Sequence, residues 1–417
     1  MSNSAISSEC HDALEWLSSQ PSSMLNLLQD LCNQNSGTFN SAGVSVVAER
    51  LHHEYAGHGN AAPVGDWVKL QPTPPAEILN DQGLIDSFAL GPTLRAEARP
   101  TAKQQVFLCI HTDTVYEVGH PFQKCRFVGN GQLNGPGVID AKGGLVVLLF
   151  ALRAFERSSL SKRLGWKVVL NPDEEIGSLG SHPILKEVSQ QCQFGLLFEP
   201  VMPDGAMVSS RKGSGNFTLV CHGRSAHAGR NFSAGRNAIV HLSRCLVELD
   251  SLNQTVSGDS TINVGRIHGG GAVNVVPDFA MARLNVRGGN PEQIEEILTR
   301  INDVVIKYSM DSDYRLSLTG QVTSPPKVLD AASHRIQERI EMTGHQVGVP
   351  IHWRPSGGAS DGNKLSGWGI PNIDTLGPVG DHLHSPDEYL VIDSLLQRTR
   401  LATALLFNFA SEPFLRL

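Results

Sequence analysis

The sequence predicts an α/β catalytic domain interrupted by an inserted ferredoxin-like domain. Three observations predict it. Short runs that are apolar at nearly every position, "QVFLCI" (105–110), "WKVVL" (166–170) and "FGLLFEP" (194–200), alternate with helical segments. A strand that is apolar throughout is buried on both faces, as a parallel sheet covered by helices requires. From about residue 210 to 322 the order changes to strand, helix, strand, strand, helix, strand, the split βαβ arrangement. After "VTSPPK" the first texture returns. These boundaries divide the chain into 1–209, 210–322 and 323–417, the first and last forming one catalytic unit around the insertion.

The elements follow in order. "ALEWLSSQPSSMLNLLQDLCNQNS" repeats apolar residues at helical spacing around Pro21, and "VSVVAERLHHEYA" is a second amphipathic helix. Helices are expected over "GGLVVLLFALRAFERS" and "HPILKEVSQQC", between the three apolar strands. In the insertion, "GSGNFTLVCHG", "TINVGRIHGG", "FAMARLNVR" and "YRLSLTG" read as strands, and "NAIVHLSRCLVELDSL" and "PEQIEEILTRINDVVIKYS" as helices. Helices "AASHRIQERIEMTG" and "DSLLQRTRLATALLFNFASE" close the chain.

Composition excludes several function classes. With 417 residues, 40% apolar and 18% charged, the chain is globular and long enough for two or three domains. A formal charge of -7 argues against nucleic acid or an anionic membrane as the main partner. No apolar run reaches membrane-spanning length, and "MSNSAISSECHDALEW" is polar and mixed, so a cytoplasmic location is expected. Seven scattered cysteines without a CxxC pair support neither a disulfide framework nor a zinc ribbon.

The chemistry collects at strand ends. "NPDEEIGSLGS" (171–181) finishes an apolar strand with Asp173, Glu174 and Glu175 side by side. Adjacent like charges repel beside a dry core, so either the turn is solvated or a cation sits there. His111 and Asp113 follow the first strand. Asp140 stands in the loop "NGPGVIDAKGG", where it could alternatively cap the helix beginning at Gly143 or Gly144. Glu199 ends the third strand, and "GDHLHSPDEYL" carries His382, His384, Asp387 and Glu388. In open α/β sheets, sites lie outside the carboxyl ends of the strands. Imidazoles and carboxylates without thiolate suit Zn²⁺, Co²⁺ or Mn²⁺. Two histidines and three carboxylates exceed one tetrahedral zinc and fit two metals about 3.5–4 Å apart under a bridging carboxylate.

"HTDTV", "GPGVIDAKGG", "DEEIGSLGS", "FEP" and "HSPDEY", in this order and spacing, resemble the dizinc carboxypeptidase/aminoacylase family, which includes glutamate carboxypeptidase, acetylornithine deacetylase and succinyl-diaminopimelate desuccinylase. The resemblance spans nearly the whole chain and implies a zinc-peptidase-like catalytic domain, with the insertion as lid and dimerisation domain of a homodimer. It implies two zinc ions, replaceable by cobalt or manganese. His111, Asp140 and Glu199 would hold one, and Asp140, Glu175 and His384 the other. Glu174 would be the general base and Asp113 the carboxylate that orients His111. His227, in "GRSAHAG", would reach across the dimer to the oxyanion. Asn274 would line the pocket from the partner, Arg287 would bind a substrate carboxylate, and Gly357 and Gly358 would line the substrate end.

Two details depart from simple family membership. Pro136 stands where many relatives carry Arg and leans toward glutamate carboxypeptidase, while "SGGASDGN" and "LGPVGDHLH" lean toward the deacylases. His382 stands two residues before His384, in register with it on an expected strand. Arg211 and Lys212 read as a solvated basic pair. The implied activity is hydrolysis of an amide to an amino acid with a free carboxylate, by a carboxypeptidase or an N-acyl-amino-acid deacylase, on a small molecule or short peptide. The alternatives are an aminopeptidase on short peptides and an inactive metal-binding relative.

Overall fold

Strand Gln105–His111 is buried at every position, and its side chains divide by parity. Val106, Leu108 and Ile110 enter one hydrophobic core, Phe107 and Cys109 another. Side chains alternate across a strand, so this split means that both faces of the sheet are covered. The computed structural model describes residues 6–57 and 62–414. In it, helices Ser8–Ser18, Pro21–Cys32, Gly143–Glu156 and Ile392–Ser411 cover one face. Helix His182–Ser189 and Leu365 cover the other. The long first helical run is two helices, because Pro21 starts a new one at its first turn, where its missing N–H costs nothing.

The main sheet has six strands in the order Trp67–Gln71, Thr93–Ala98, Gly165–Asn171, Gln105–His111, Phe194–Leu197, Asn372–Ile373. The last four run parallel. Thr93–Ala98 and Trp67–Gln71 add antiparallel to the edge, so the sheet is mixed where a parallel one was expected. These two strands carry polar residues on alternate positions and lack the continuous apolar run of the central strands.

Helix Gly143–Glu156 is apolar on all sides and correspondingly buried. Its N-terminus must approach the strand leading to Glu199: a Cβ on Gly144 would lie 2.1 Å from the Phe198 carbonyl oxygen. Only glycine permits that approach.

The insertion forms a four-stranded antiparallel sheet in the order Thr261–Gly269, Phe279–Gly288, Gly213–His222, Arg315–Ser324. Helices Ala238–Ser251 and Pro291–Ser309 bury Leu242, Cys245, Ile297 and Ile301 in a core of its own. This is the expected ferredoxin-like arrangement. A short ribbon pairs Ala226–His227 with Val275–Val276 at its edge. Strand Met207–Arg211, which leads into the insertion, pairs parallel with Trp353–Ser356 and sets Arg211 beside Ser356.

Candidate metal centre

Parallel strands share one carboxyl edge, which is why residues distant in sequence meet there. His111 ends its strand, Glu174 and Glu175 form a tight turn three residues past Asn171, and Glu199 lies two past Leu197. His111 Nε2 lies 3.1 Å from Asp140 Oδ1 and 3.8 Å from Glu199 Oε2. His384 Nε2 lies 3.2 Å from Asp140 Oδ2 and 3.4 Å from Glu175 Oε2. Asp140 therefore presents one oxygen to each of two groups of three, His111–Asp140–Glu199 and Asp140–Glu175–His384. Its side chain does not cap the following helix. His384 and His382 both stand in a turn at φ values of 62° and 60°, not on a strand. The turn separates them: only His384 joins the cluster, while His382 packs near Tyr389.

The lone pairs of these side chains converge. His111 Nδ1 lies 3.0 Å from the Asp113 carbonyl oxygen and 3.3 Å from its carboxylate, so Nδ1 carries the proton and donates there. In the neutral ring, Nε2 then points a lone pair at two carboxylates. Glu175 Oε1 is buried with no hydrogen-bond partner. Such a set is stable only with protons or a cation between the donors. Burial pushes Glu199 up to about 8 and Glu175 up to about 7. Hydrogen bonds to Asp140 and Glu175 hold His384 up at about 10. Burial works to lower His111, but Glu199, Asp113 and Asp140 outweigh it and hold the ring well above its usual range. Oxygen and imidazole donors in this number fit divalent zinc, cobalt or manganese.

The surrounding residues hold the ligands in place. Asp113 is fully buried and takes Thr38 Oγ1–H at 2.7 Å and the backbone N–H groups of Glu174 and Glu175 at 3.1 and 3.2 Å. One carboxylate thus orients the imidazole of one group and the turn that carries Glu175 of the other. Asp173 points away and accepts from Gly180 N–H at 2.7 Å and Ser181 N–H at 3.1 Å, a structural role. Sequence reasoning gave Glu388 no role. It is buried and accepts from the N–H groups of Gly137, Ile139 and Asp140 at 3.1, 3.0 and 3.2 Å and from the Tyr116 hydroxyl at 2.7 Å. It clamps the loop that aims Asp140. Its place in "HSPDEY", four residues after a ligand, was the available signal.

Arg211 corrects an expectation. It is buried, not solvated: Nε donates to Asp374 Oδ2 at 2.8 Å and Nη1 to the Gly358 carbonyl at 3.1 Å. Lys327 Nζ approaches the same Asp374 oxygen at 3.0 Å. Lys212, by contrast, reaches Asp259 at the surface. Arg287 donates from Nε to Asn285 Oδ1 at 2.8 Å and from Nη1 to the Gly357 carbonyl at 3.1 Å. The two arginines thus meet at the Gly357–Gly358 loop, one from the strand leading into the insertion and one from within it. His227 and Asn274 are neighbours on the exposed ribbon of the insertion, where Ala228 N–H donates to the Asn274 carbonyl at 2.9 Å. Among the described residues, no hydrogen bond or ion pair joins either of them to the carboxylate–imidazole cluster.

Comparison with known proteins shows the family. Residues 107–408 match the model of peptidase family M20/M25/M40. The chain is 24% identical to succinyl-diaminopimelate desuccinylase of Thioalkalivibrio sulfidiphilus over 94% of its own length and 100% of that protein. It is 22% identical to carboxypeptidase G2 of Pseudomonas sp. over 93% of its length and 89% of that protein. An M20 family metallo-carboxypeptidase from Sulfolobus solfataricus has the same fold, with a TM-score of 0.70 at 16% identity over 93% of this chain and 99% of that one. With the match running through most of its length, the chain belongs to peptidase family M20/M25/M40, and the protein is a hydrolase.

Proposed function

We propose that the protein is a two-metal amidohydrolase that releases an amino acid with a free carboxylate from an N-acyl or short-peptide precursor. The observation that carries this is Asp140 shared between two ligand groups, with Glu174 next to Glu175 in the same turn. Bound there, zinc, or cobalt or manganese in its place, would polarise the scissile carbonyl and make water more acidic. His111 and Glu199 would complete one site, Glu175 and His384 the other. Burial raises the Glu174 carboxyl well above its usual range, which suits a group that takes a proton from the attacking water and passes it to the leaving amine.

Arg287 is half-buried and, among the described residues, has no carboxylate partner. That leaves its charge available for the substrate carboxylate. In this reading the insertion, about 210–322, is the lid of a homodimer, and His227 and Asn274 act from the partner. The seven free cysteines fit a reducing cytoplasm. The test is hydrolysis by the metal-loaded protein of paired substrates. Substrates with a blocked amino terminus and a free carboxylate should be cleaved, and those with a free amino terminus and an amidated carboxyl should not. The reverse preference would make the protein an aminopeptidase.

Metal removal has a signed pH dependence. A carboxyl raised from its ordinary 4.5 to about 7 or 8 in the fold stabilises only while protonated, so its contribution disappears as pH rises through that window. His384, raised from 6.5 to about 10, contributes fully below 6.5 and loses that contribution as pH rises through 10, in the same direction. In EDTA, Tm should fall as pH is raised through 7 to 8. Added zinc should raise Tm more at the upper end of that range. A flat or rising Tm in EDTA would contradict the protonated-cluster account.

A further inference from the structure

A cavity of about 380 Å³ opens beside Glu175, lined among others by Phe39, Val115, Val118 and Ile176. We propose that it is the subsite for the acyl side of the substrate and that it takes an uncharged apolar group, such as an aromatic acyl group. The inference rests on the amidohydrolase reading and names the substrate class for it.

Three of the lining side chains are exposed without a folding reason. Phe39 is 51% exposed, Val118 65% and Val115 38%. Large apolar side chains clustered in solvent mark a place where something binds. Here the cluster is continuous with the metal centre, since Glu175 lines both. Ile176 belongs to the same tight turn as Glu174 and Glu175, so a group in the cavity lies next to the reacting end of the site.

The cavity is preformed. Thr38 N–H donates to the Thr114 carbonyl at 3.2 Å, and Thr114 N–H to the Ser36 carbonyl at 2.9 Å. The Asn35 amide donates to the Tyr116 carbonyl at 3.0 Å. Thr38 Oγ1 reaches Asp113, tying this wall to the carboxylate that orients His111. Phe88 packs against Phe39 with ring centroids 4.9 Å apart and props the ring at the rim. A rigid apolar wall favours a rigid apolar ligand, which loses little entropy on binding.

Charge selects further. Among the described residues, the ionisable ones that line it are Glu117 and Glu175, with no lysine, arginine or histidine. With Glu175 committed to the metal group, Glu117 is the ionisable lining residue left to face a succinyl carboxylate, and no basic side chain among the described lining residues pairs with it. The site's arginines instead hold the Gly357–Gly358 loop. The substrate is therefore polar at one end and apolar at the other. This separates the acyl specificity of this chain from the activity named for its desuccinylase relative.

The experiment measures kcat/KM for N-benzoyl, N-acetyl and N-succinyl forms of one leaving amino acid, with the wild type, Phe39→Ala and Val118→Lys. The wild type should prefer benzoyl to acetyl by about tenfold and disfavour succinyl. Phe39→Ala should reduce the benzoyl-to-acetyl ratio by about tenfold, mainly through KM. Val118→Lys should move the ratio toward succinyl. Both positions are exposed, so unchanged melting temperatures confirm folding. If acetyl substrate is cleaved but succinyl is preferred, or neither variant moves the ratios, the subsite is overturned while the hydrolase reading stands. If no amide is cleaved, both fall.

Discussion

On the two-metal reading, Glu174→Ala should lower kcat by about 10³-fold without loss of bound metal. The carboxyl belongs to neither candidate ligand group, so its loss leaves the five proposed ligands in place. Its backbone N–H is held by Asp113, which fixes the turn whatever the side chain is. Burial is the first cause of its raised pKa, and the charges of Glu199 and Asp361 add to it against the opposing effect of His111. A carboxyl raised in this way holds a proton more readily than an ordinary one, and truncation removes that proton acceptor while leaving the candidate ligands in place. The measurement pairs steady-state kinetics with metal analysis on the same preparations. A kcat within tenfold of wild type, with metal retained, would remove Glu174 from the mechanism.

Asp374→Ala should destabilise the protein by about 4 kcal/mol. Asp374 is fully buried and meets two cations, Arg211 at 2.8 Å and Lys327 at 3.0 Å, both themselves buried. Ser360 Oγ–H also donates to it at 2.9 Å. Deleting the carboxylate leaves two buried positive charges without a counter-charge. It also frees Arg211 from the geometry in which it holds the Gly358 carbonyl, so KM should rise together with the loss of stability. The pH dependence has a definite sign. Burial works against ionisation of Asp374, but Arg211 and Lys327 outweigh it and hold the carboxyl well below its ordinary 3.8. Its stabilisation is therefore complete above 3.8 and lost as pH falls below it. Urea unfolding at pH 7 and pH 3 reads both effects. Adding Lys327→Met should recover part of the loss at pH 7 by removing one of the orphaned charges. No recovery would mean that uncompensated charge is not the cause.

Several elements could be read directly because their information is local. The continuous apolar runs at Gln105–His111 and Gly165–Asn171 reveal burial on both faces, and burial on both faces with helices between implies parallel strands. Parallel strands place their ends on one edge, so His111, Glu174, Glu175 and Glu199 are legible as neighbours from the sequence. The order of elements in the insertion was legible for the same reason: each strand and helix carries its own period.

The sequence alone thus determined the catalytic α/β core, the inserted ferredoxin-like sheet and the family to which the chain belongs. Tertiary structure decided what depends on partners far away in the chain. The antiparallel strands Trp67–Gln71 and Thr93–Ala98 escaped because polar residues interrupt them, Lys69 and Gln71 in one and Arg95 and Glu97 in the other, so neither shows a continuous apolar run. Arg211 read as a surface charge because its counter-ion, Asp374, is 163 residues away. Glu388 gained a role only when its carboxylate met the backbone N–H groups of a loop about 250 residues earlier. The apolar cavity beside Glu175 joins side chains from three segments, none apolar enough by itself to signal a pocket. Hydrophobic period is written in neighbouring residues, whereas the pairing of buried charges and the shape of a cavity are set by which distant segments the fold brings together.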